Sequence, residues 1–312
     1  MSIKIIELFA GIGTQRKAFE NIYGKDNIEV IGISEIDQRA LKAYALLHKK
    51  TENFGDISLI NRLPYADVWT YSFPCTDVSI AGKQIGLSGK KSSLLYHVQR
   101  LLQVSDKPKI LIMENVANLA SDKFIDDFKA WIEILKEIGY TTTWKKVKSY
   151  EYGGVSIRNR VFAVSVLGDE KYNFPKITGT QLTVKDILEV PQDKNKISDE
   201  CLYAEISPNY KKSIKLADFG NGGQGNRIYS IFGQAVTLTA SGGGKAGSSG
   251  GLYARPEGIY KLSGIEMMKV MGWTKEDAII LEKNMTPNEL GFLLGNAIDL
   301  KVMEVIVSNI KI

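Results

Sequence analysis

The stretch that most constrains the fold is Phe9-Ala10-Gly11-Ile12-Gly13-Thr14. It lies between an apolar run, Ile3 to Phe9, and a helix-like segment, Gln15 to Tyr23, closed by Gly24. Two glycines between a strand and a helix let backbone approach a ligand and leave the first helical amides free to bind an anion. The third glycine of a dinucleotide fingerprint is missing, because Arg16 stands in its place. A chain that opens this way is expected to alternate strands and helices on an open sheet.

The next stretches keep that rhythm. Glu29 to Ser34 is a second apolar run, and it ends in Glu35, 22 positions past Gly13. A carboxylate there is placed for ribose hydroxyls; an ordinary strand-end carboxylate is the plainer alternative. Asp37 is expected to cap a helix running to His48. Asp56 should end a short third strand and accept from an adenine amine. Up to this point a nicotinamide dinucleotide and S-adenosylmethionine fit equally well.

Val68 to Phe73 reads as a buried strand, ended by Pro74, with Cys75 opening a loop of small and polar residues to Gln84. A cysteine at the carboxyl end of a strand stands where open α/β sheets carry their chemistry; a buried structural thiol is the alternative. A helix from Ser93 to Gln103 precedes the strand Lys109 to Met113, which ends in Glu114-Asn115-Val116. Neighbouring parallel strands would bring the thiol and the Glu114 carboxyl to one sheet edge. Asp122 to Ile138 is an amphipathic helix with Phe124, Phe128, Ile132, Leu135 and Ile138 on its core face and Gly139 as its cap. Thr141 to Tyr150 and Arg160 to Leu167 are the closing strands. Arg158 and Arg160 enter the last one at alternate positions and are expected to share a face, for salt bridging or for an anion or base.

Past Phe174-Pro175 the pattern becomes less regular and more basic. From Lys171 to Arg255 there are eleven Lys or Arg against seven Asp or Glu, most of the net +5 of the 312 residues. A localised basic bias suits a polyanion, and a solvated lysine face is the alternative. Gly220 to Arg227 and Gly242 to Gly251 bracket a strand-like run, Ala235 to Ala240, so these glycines read as binding loops rather than linkers. A helix near Gly264 to Met271 and one started by Pro287 follow, with Gly295-Asn296-Ala297 expected to open a last apolar helix. Two cysteines exclude a disulfide scaffold and suit a reducing compartment, no apolar run spans a bilayer, and no signal-peptide pattern precedes Ile3. The two histidines and the lack of paired Cys or His spacings argue against a metal site.

Taken together, Phe9-Ala-Gly-Ile-Gly13, Glu35, Asp56, Phe73-Pro-Cys75, Glu114-Asn-Val116, Arg158-Asn-Arg160 and Gly295-Asn296 stand in the order and spacing of one family. The sequence resembles the prokaryotic DNA cytosine-5 methyltransferases over its whole length. It is most similar to the small HhaI-type enzymes through Ser79-Ile-Ala-Gly-Lys-Gln84 and Gly222-Gly-Gln-Gly-Asn-Arg-Ile-Tyr229. The resemblance implies an α/β fold: a Rossmann-like S-adenosylmethionine-dependent methyltransferase domain (1–178), a smaller, mainly β or irregular target-recognition domain (179–285), and a carboxyl-terminal helix returning to the first domain (286–312).

The resemblance also implies roles. S-adenosylmethionine, released as S-adenosylhomocysteine, would be held by Phe9, Ala10, Gly11, Gly13, Glu35, Asp56, Ile57, Pro74, Asn296 and Ala297. Cys75 would attack C6 of a flipped cytosine so that C5 accepts the methyl group, with Glu114, Arg158 and Arg160 holding the base. Ser79, Ala81, Lys83, Gln224, Arg227 and Thr237 would contact double-stranded DNA, at GCGC or a similar GC-centred site. The chain would be a cytoplasmic monomer of bacterial or phage origin, nucleoid-associated when bound to DNA, in restriction-modification or DNA protection. A cognate endonuclease would act separately, and no membrane partner is expected. Two positions depart from the family: Ser156 stands where Gln is usual, and Asn226 where HhaI-type enzymes carry an acid. A tRNA cytosine-5 methyltransferase of the same fold would carry a Cys-Phe-Thr signature, which is absent. A nicotinamide-dependent oxidoreductase gives no reason for Cys75, Glu114 and both arginines in this order.

Overall fold

The computed structural model describes residues 2–73, 94–220 and 223–312. The chain forms two compact units, each discontinuous in sequence: residues 1–147, 159–176 and 303–312 make the first, and 148–158 with 177–302 the second.

The first unit carries the expected alternation: β1 (Ile3–Leu8), α1 (Thr14–Tyr23), β2 (Ile28–Ser34), α2 (Gln38–Leu47), β3 (Val68–Tyr71), α3 (Leu95–Val104), β4 (Ile110–Val116), α4 (Ile125–Ile138), β5 (Tyr140–Lys148) and β6 (Asn159–Leu167). The strands lie in the order β2-β1-β3-β4-β6-β5. β1 to β4 are mutually parallel and β6 runs against β4. β1 and β3 lie inside the sheet, and their side chains are accordingly buried on both faces, in β1 from Ile5 onward. The core gathers Trp69, Tyr71, Phe128, Trp131, Leu135 and Tyr140, and Trp131 Nε1 donates to the Tyr71 hydroxyl at 3.1 Å.

Asp37 caps α2 through the amides of Arg39 and Ala40. Gly139, at φ +110°, closes α4 in a left-handed turn that only glycine adopts without strain. Two expectations need correction in this unit. α4 starts at Ile125 rather than Asp122, and its deepest residues are Phe128, Trp131 and Leu135. The apolar stripe is therefore rotated from Ile132 towards Trp131, whose large ring gains most from burial. Asp56 ends no strand: only Asn53 bridges to Ile33, and Asp56 instead accepts from the amide of Ser58 to start a single helical turn.

The second unit contains α5 (Val184–Ile187), β7 (Lys196–Ser198), β8 (Lys215–Asp218), β9 (Arg227–Ser230), β10 (Leu252–Arg255), β11 (Gly258–Lys261), α6 (Gly264–Val270), α7 (Lys275–Asn284) and α8 (Pro287–Asn296). Its sheet has the order β7-β11-β10-β9-β8, packed on a small core of Ile228, Ala246, Leu252, Ala254 and Ile259. Reciprocal caps start two of the helices, Ser263 with Glu266 for α6 and Thr286 with Glu289 for α8. The run Ala235 to Ala240 is no strand; Ala235 makes one isolated bridge, to Ser156. Gly295 and Asn296 end α8 rather than opening the last helix, α9 (Leu300–Val307), which passes from the second unit into the first at Met303.

Candidate active site

The glycine loop begins where β1 stops. Phe9 holds φ at +58°, Gly11 at +57° and Gly13 at +77°, and Phe9 is the only non-glycine with positive φ among the described residues. Such a backbone costs on the order of 1 kcal/mol at Phe9 and marks a place where neighbouring structure dictates the turn. The amides of Phe9 and Ala10 both donate to Ser34 O, which fixes the loop to the end of β2. Gly11 N donates to Glu35 Oε2 at 2.8 Å, and Glu35 Oε1 accepts from Ile36 N and Asp37 N. One carboxylate thus ties the glycine loop to the start of α2. Asn53 completes the join: its Oδ1 accepts from Glu35 N and Gly55 N, and its Nδ2 donates to Glu35 O.

The glycines differ in what surrounds them. A Cβ on Gly13 would lie 2.3 Å from His48 Nε2 and 2.7 Å from Tyr44 Cε2, whereas one on Gly11 would meet nothing within 4 Å. Gly13 is needed for packing against α2. Gly11 faces open space and its amide is held by the partly exposed Glu35 carboxylate, while the partly exposed Asp56 follows Gly55, whose amide shares Asn53 Oδ1 with Glu35 N. Room above Gly11, a fixed ring-bearing turn at Phe9 and these acidic acceptors fit a nucleoside-like cofactor such as S-adenosylmethionine. Ile57 is buried below, with its carbonyl held by Arg100 Nη2 at 3.1 Å.

Beneath the loop lies a polar cluster that sequence patterning did not single out. Glu7, buried in β1, accepts from Arg16 N at 2.9 Å and from the Tyr44 hydroxyl at 2.6 Å. Arg16 donates to Glu20 at 2.7 Å, to Thr51 Oγ1 at 2.8 Å and to Lys49 O. Burial pushes the Glu7 carboxyl up to about 7, against the opposing pull of its bonds to Tyr44 and Arg16. The signal in the sequence was Arg16 at the third-glycine position, which needs an acid to offset its burial.

The other half of the site sits at the ends of β3, β4 and β6. Tyr71 pairs with Met113, so Glu114 follows directly beside the end of β3. Asn115 Nδ2 donates to Phe73 O at 3.1 Å, holding the chain two residues before Cys75. Arg160 Nε lies 3.1 Å from Glu114 Oε1. Cys75, Pro74, Ser79, Ala81 and Lys83 lie outside the described residues.

Arg158 and Arg160 hold different partners. Arg158 precedes β6, and its Nη2 donates to Ala297 O at 2.6 Å and Gly295 O at 3.2 Å, at the end of α8. A carboxyl-terminal turn attracts a cation, which suits Arg158 to these carbonyls. Ser156 Oγ accepts from Arg158 N at 3.3 Å. Asn296 itself is exposed.

In the second unit Gln224 Nε2 donates to Thr237 O at 3.0 Å, and Asn226 Oδ1 accepts from Lys245 N at 3.0 Å. The two glycine loops interlock. A Cβ on Gly225 would lie 1.7 Å from Gly243 O, and one on Gly244 would lie 2.4 Å from Asn226 Oδ1. Gln224, Asn226, Thr239, Ser241 and the surrounding glycines line one groove. Arg227 begins β9 opposite Asp218. Among the described residues no cluster of three or more His, Cys, Asp or Glu is arranged to hold a metal, and no helix is long and apolar enough to cross a membrane.

Comparison with known proteins gives a consistent picture. Residues 3–312 match the family described as C-5 cytosine-specific DNA methylase. Type II methyltransferase M.HhaI of Haemophilus parahaemolyticus is 30% identical over 99% of this chain and 94% of its own length. Orphan methyltransferase M.SssI of Spiroplasma monobiae is 26% identical over 99% of this chain and 97% of its own. Among solved structures, the S. pombe Dnmt2 methyltransferase aligns with a TM-score of 0.71 at 17% identity, covering 98% of this chain and 97% of that one. A putative DNA modification methyltransferase encoded within an E. coli prophage aligns with a TM-score of 0.64 at 18% identity, covering 99% and 98%.

Proposed function

The chain belongs to the C-5 cytosine-specific DNA methylase family, and we propose that it methylates C5 of a flipped cytosine in a short, GC-centred site of double-stranded DNA. The observation that supports this most is the sheet edge itself. The strand leading to Cys75 and the strand that carries Glu114 near its end are parallel neighbours, and Arg160 is ion-paired to Glu114.

In this reading S-adenosylmethionine supplies an electrophilic methyl group when bound. Phe9, Ala10, Gly11 and Gly13 contact it, Glu35 takes the ribose, Asp56 and Ile57 take the adenine, and Pro74, Asn296 and Ala297 complete the contacts. The Cys75 thiolate adds to C6 of cytosine, which makes C5 nucleophilic. Glu114 holds the N3 and amine edge, and Arg160 keeps Glu114 oriented. Once C5 is methylated, its proton passes to water, the C5–H electron pair re-forms the C5–C6 double bond, and the sulfur–C6 bond breaks with its pair on sulfur, which regenerates the thiolate. The base must leave the stack for this geometry, at a cost of a few kcal/mol.

The first unit would be the catalytic domain and the second the target-recognition domain. In the second, Gln224 would pair the orphaned guanine and Arg227 and Thr237 would contact the target. Ser79, Ala81 and Lys83 would meet the DNA from the Cys75 loop. The enzyme would act as a monomer in the cytoplasm within a restriction-modification or protection system, apart from any endonuclease.

Bisulfite sequencing of DNA from a host lacking its own cytosine methylation, expressing this chain or Cys75→Ser, tests the proposal. Protected cytosines within one short motif, lost in the variant, are expected. Soluble protein without protection would overturn the DNA reading, and label transfer to RNA would then point to an RNA substrate.

A further inference from the structure

α8 and α9 are separated by three residues, Ala297, Ile298 and Asp299, and the second of the two helices is started by Asp299. Its Oδ1 accepts from Lys301 N at 3.0 Å and Val302 N at 3.3 Å. Its Oδ2 accepts from the Ser149 hydroxyl at 2.5 Å. The carboxylate is 3% exposed and experiences the positive charge of Arg158. Arg158 in turn satisfies the carbonyls of Gly295 and Ala297, on either side of Asn296. Ser149 N donates to Arg158 O at 2.9 Å, which closes the circuit. The space is filled to the limit: a Cβ on Gly154 would lie 1.9 Å from Ser149 Oγ and 3.0 Å from Asp299 Oδ2.

One buried acid and one buried arginine therefore serve the end of one helix and the start of the next. Helix ends leave carbonyls and amides unsatisfied, and here Arg158 answers the carbonyls and Asp299 the amides, with Ser149 bonded to both residues. The backbone is clamped on both sides of Asn296, while the Asn296 side chain stays exposed and donates to Phe292 O at 3.2 Å. A short exposed amide held on a rigid turn is a presented group, since the clamp removes backbone entropy that binding would otherwise cost.

We propose that Asp299 is a positioning residue for cofactor binding: through Arg158 and Ser149 it fixes the Gly295–Ala297 turn and so orients Asn296 for the cofactor. This rests on the reading of Asn296 as a cofactor contact. Asp299 touches no reacting atom.

The test is calorimetric binding of S-adenosylhomocysteine to the full chain as wild type, Asn296→Ala, Asp299→Asn and the double variant, with KM for cofactor and for DNA measured alongside. Asp299→Asn is expected to weaken binding about tenfold, the scale of one lost hydrogen-bonding contact. KM for the cofactor should rise with it, while KM for DNA stays put. The double variant should bind no worse than about twofold below the weaker single variant, because Asp299 acts through Asn296. A merely structural role would lower the melting temperature and leave the two effects independent, and that result overturns the inference. So does wild-type affinity in Asp299→Asn. Wild-type affinity in Asn296→Ala would instead overturn the reading of Asn296 and the inference with it. If Asp299→Asn does not fold, Ser149→Ala removes one bond to the same carboxylate and should show the same coupling at about threefold.

Discussion

Arg160 Nε and Glu114 Oε1 stand 3.1 Å apart although their strands run in opposite directions, because Arg160 pairs with Val116 and Glu114 with Phe162 across the β4–β6 ladder. The two residues are thus diagonal neighbours, with side chains only 16% and 9% exposed. Removing one partner would leave a partly buried charge without its mate, which usually costs more than the pair itself contributes.

Arg160→Ala should therefore lower turnover by at least about a hundredfold while changing S-adenosylhomocysteine affinity less than about threefold. Arg160→Lys should recover only part of the loss, since an ammonium lacks the planar fork. Single-turnover methylation of an oligonucleotide duplex, with cofactor binding measured separately, checks this. Equal losses in both quantities would show that the pair supports the fold rather than the base.

The glycine loop offers a sharper contrast. Gly13→Ala must push a Cβ into His48 and Tyr44, and it is expected to cost about 2–4 kcal/mol of stability. Gly11→Ala meets open space and should cost only about 1 kcal/mol. If the cofactor covers that space, Gly11→Ala loses at least about tenfold in S-adenosylhomocysteine affinity. Denaturant melts and calorimetry on both variants separate the two effects.

Glu7 gives a pH dependence with a definite sign. Its carboxyl titrates near 7 in the fold against an ordinary value of 4.5, so between these pH values the folded state keeps a proton the unfolded chain has lost. The stabilisation tied to that proton is complete below about pH 4.5 and fades as the pH climbs towards 7, by about 3 kcal/mol in all. Urea unfolding of wild type and Glu7→Gln at pH 5 and pH 8 should show the wild type losing ground to the variant at the higher pH. Parallel behaviour would mean that Glu7 is ionised throughout.

In the second unit, Gly225→Ala would drive a methyl group into Gly243 O and separate the two glycine loops. Cofactor affinity should stay within about twofold, while the methylated motif becomes broader or is lost. Bisulfite sequencing reads this directly.

Much of the site was legible because its parts are local. Strand, glycines and helix are contiguous from Ile3 to Tyr23, and the Asp37 cap follows Glu35 by two residues. The Glu7–Tyr44 and Arg158–Ala297 contacts join residues 37 and 139 positions apart, and no periodicity reports such pairings. The apolar spacing of Ala235 to Ala240 suggested a strand, yet only Ala235 finds a bridging partner. Pattern reports which residues avoid water and says less about which backbone pairs with which.

The discontinuity of the first unit has a temporal meaning. Residues 303–312 belong to it, with Tyr23 donating to Val307 O and Ile310 O and Tyr172 to Ile306 O. Those acceptors leave the ribosome only after the entire second unit has been synthesised. The nascent β-α layers must wait, incomplete at α1, until the chain has finished its excursion, so the earliest-made part of the first unit is completed by that unit's own last-made segment.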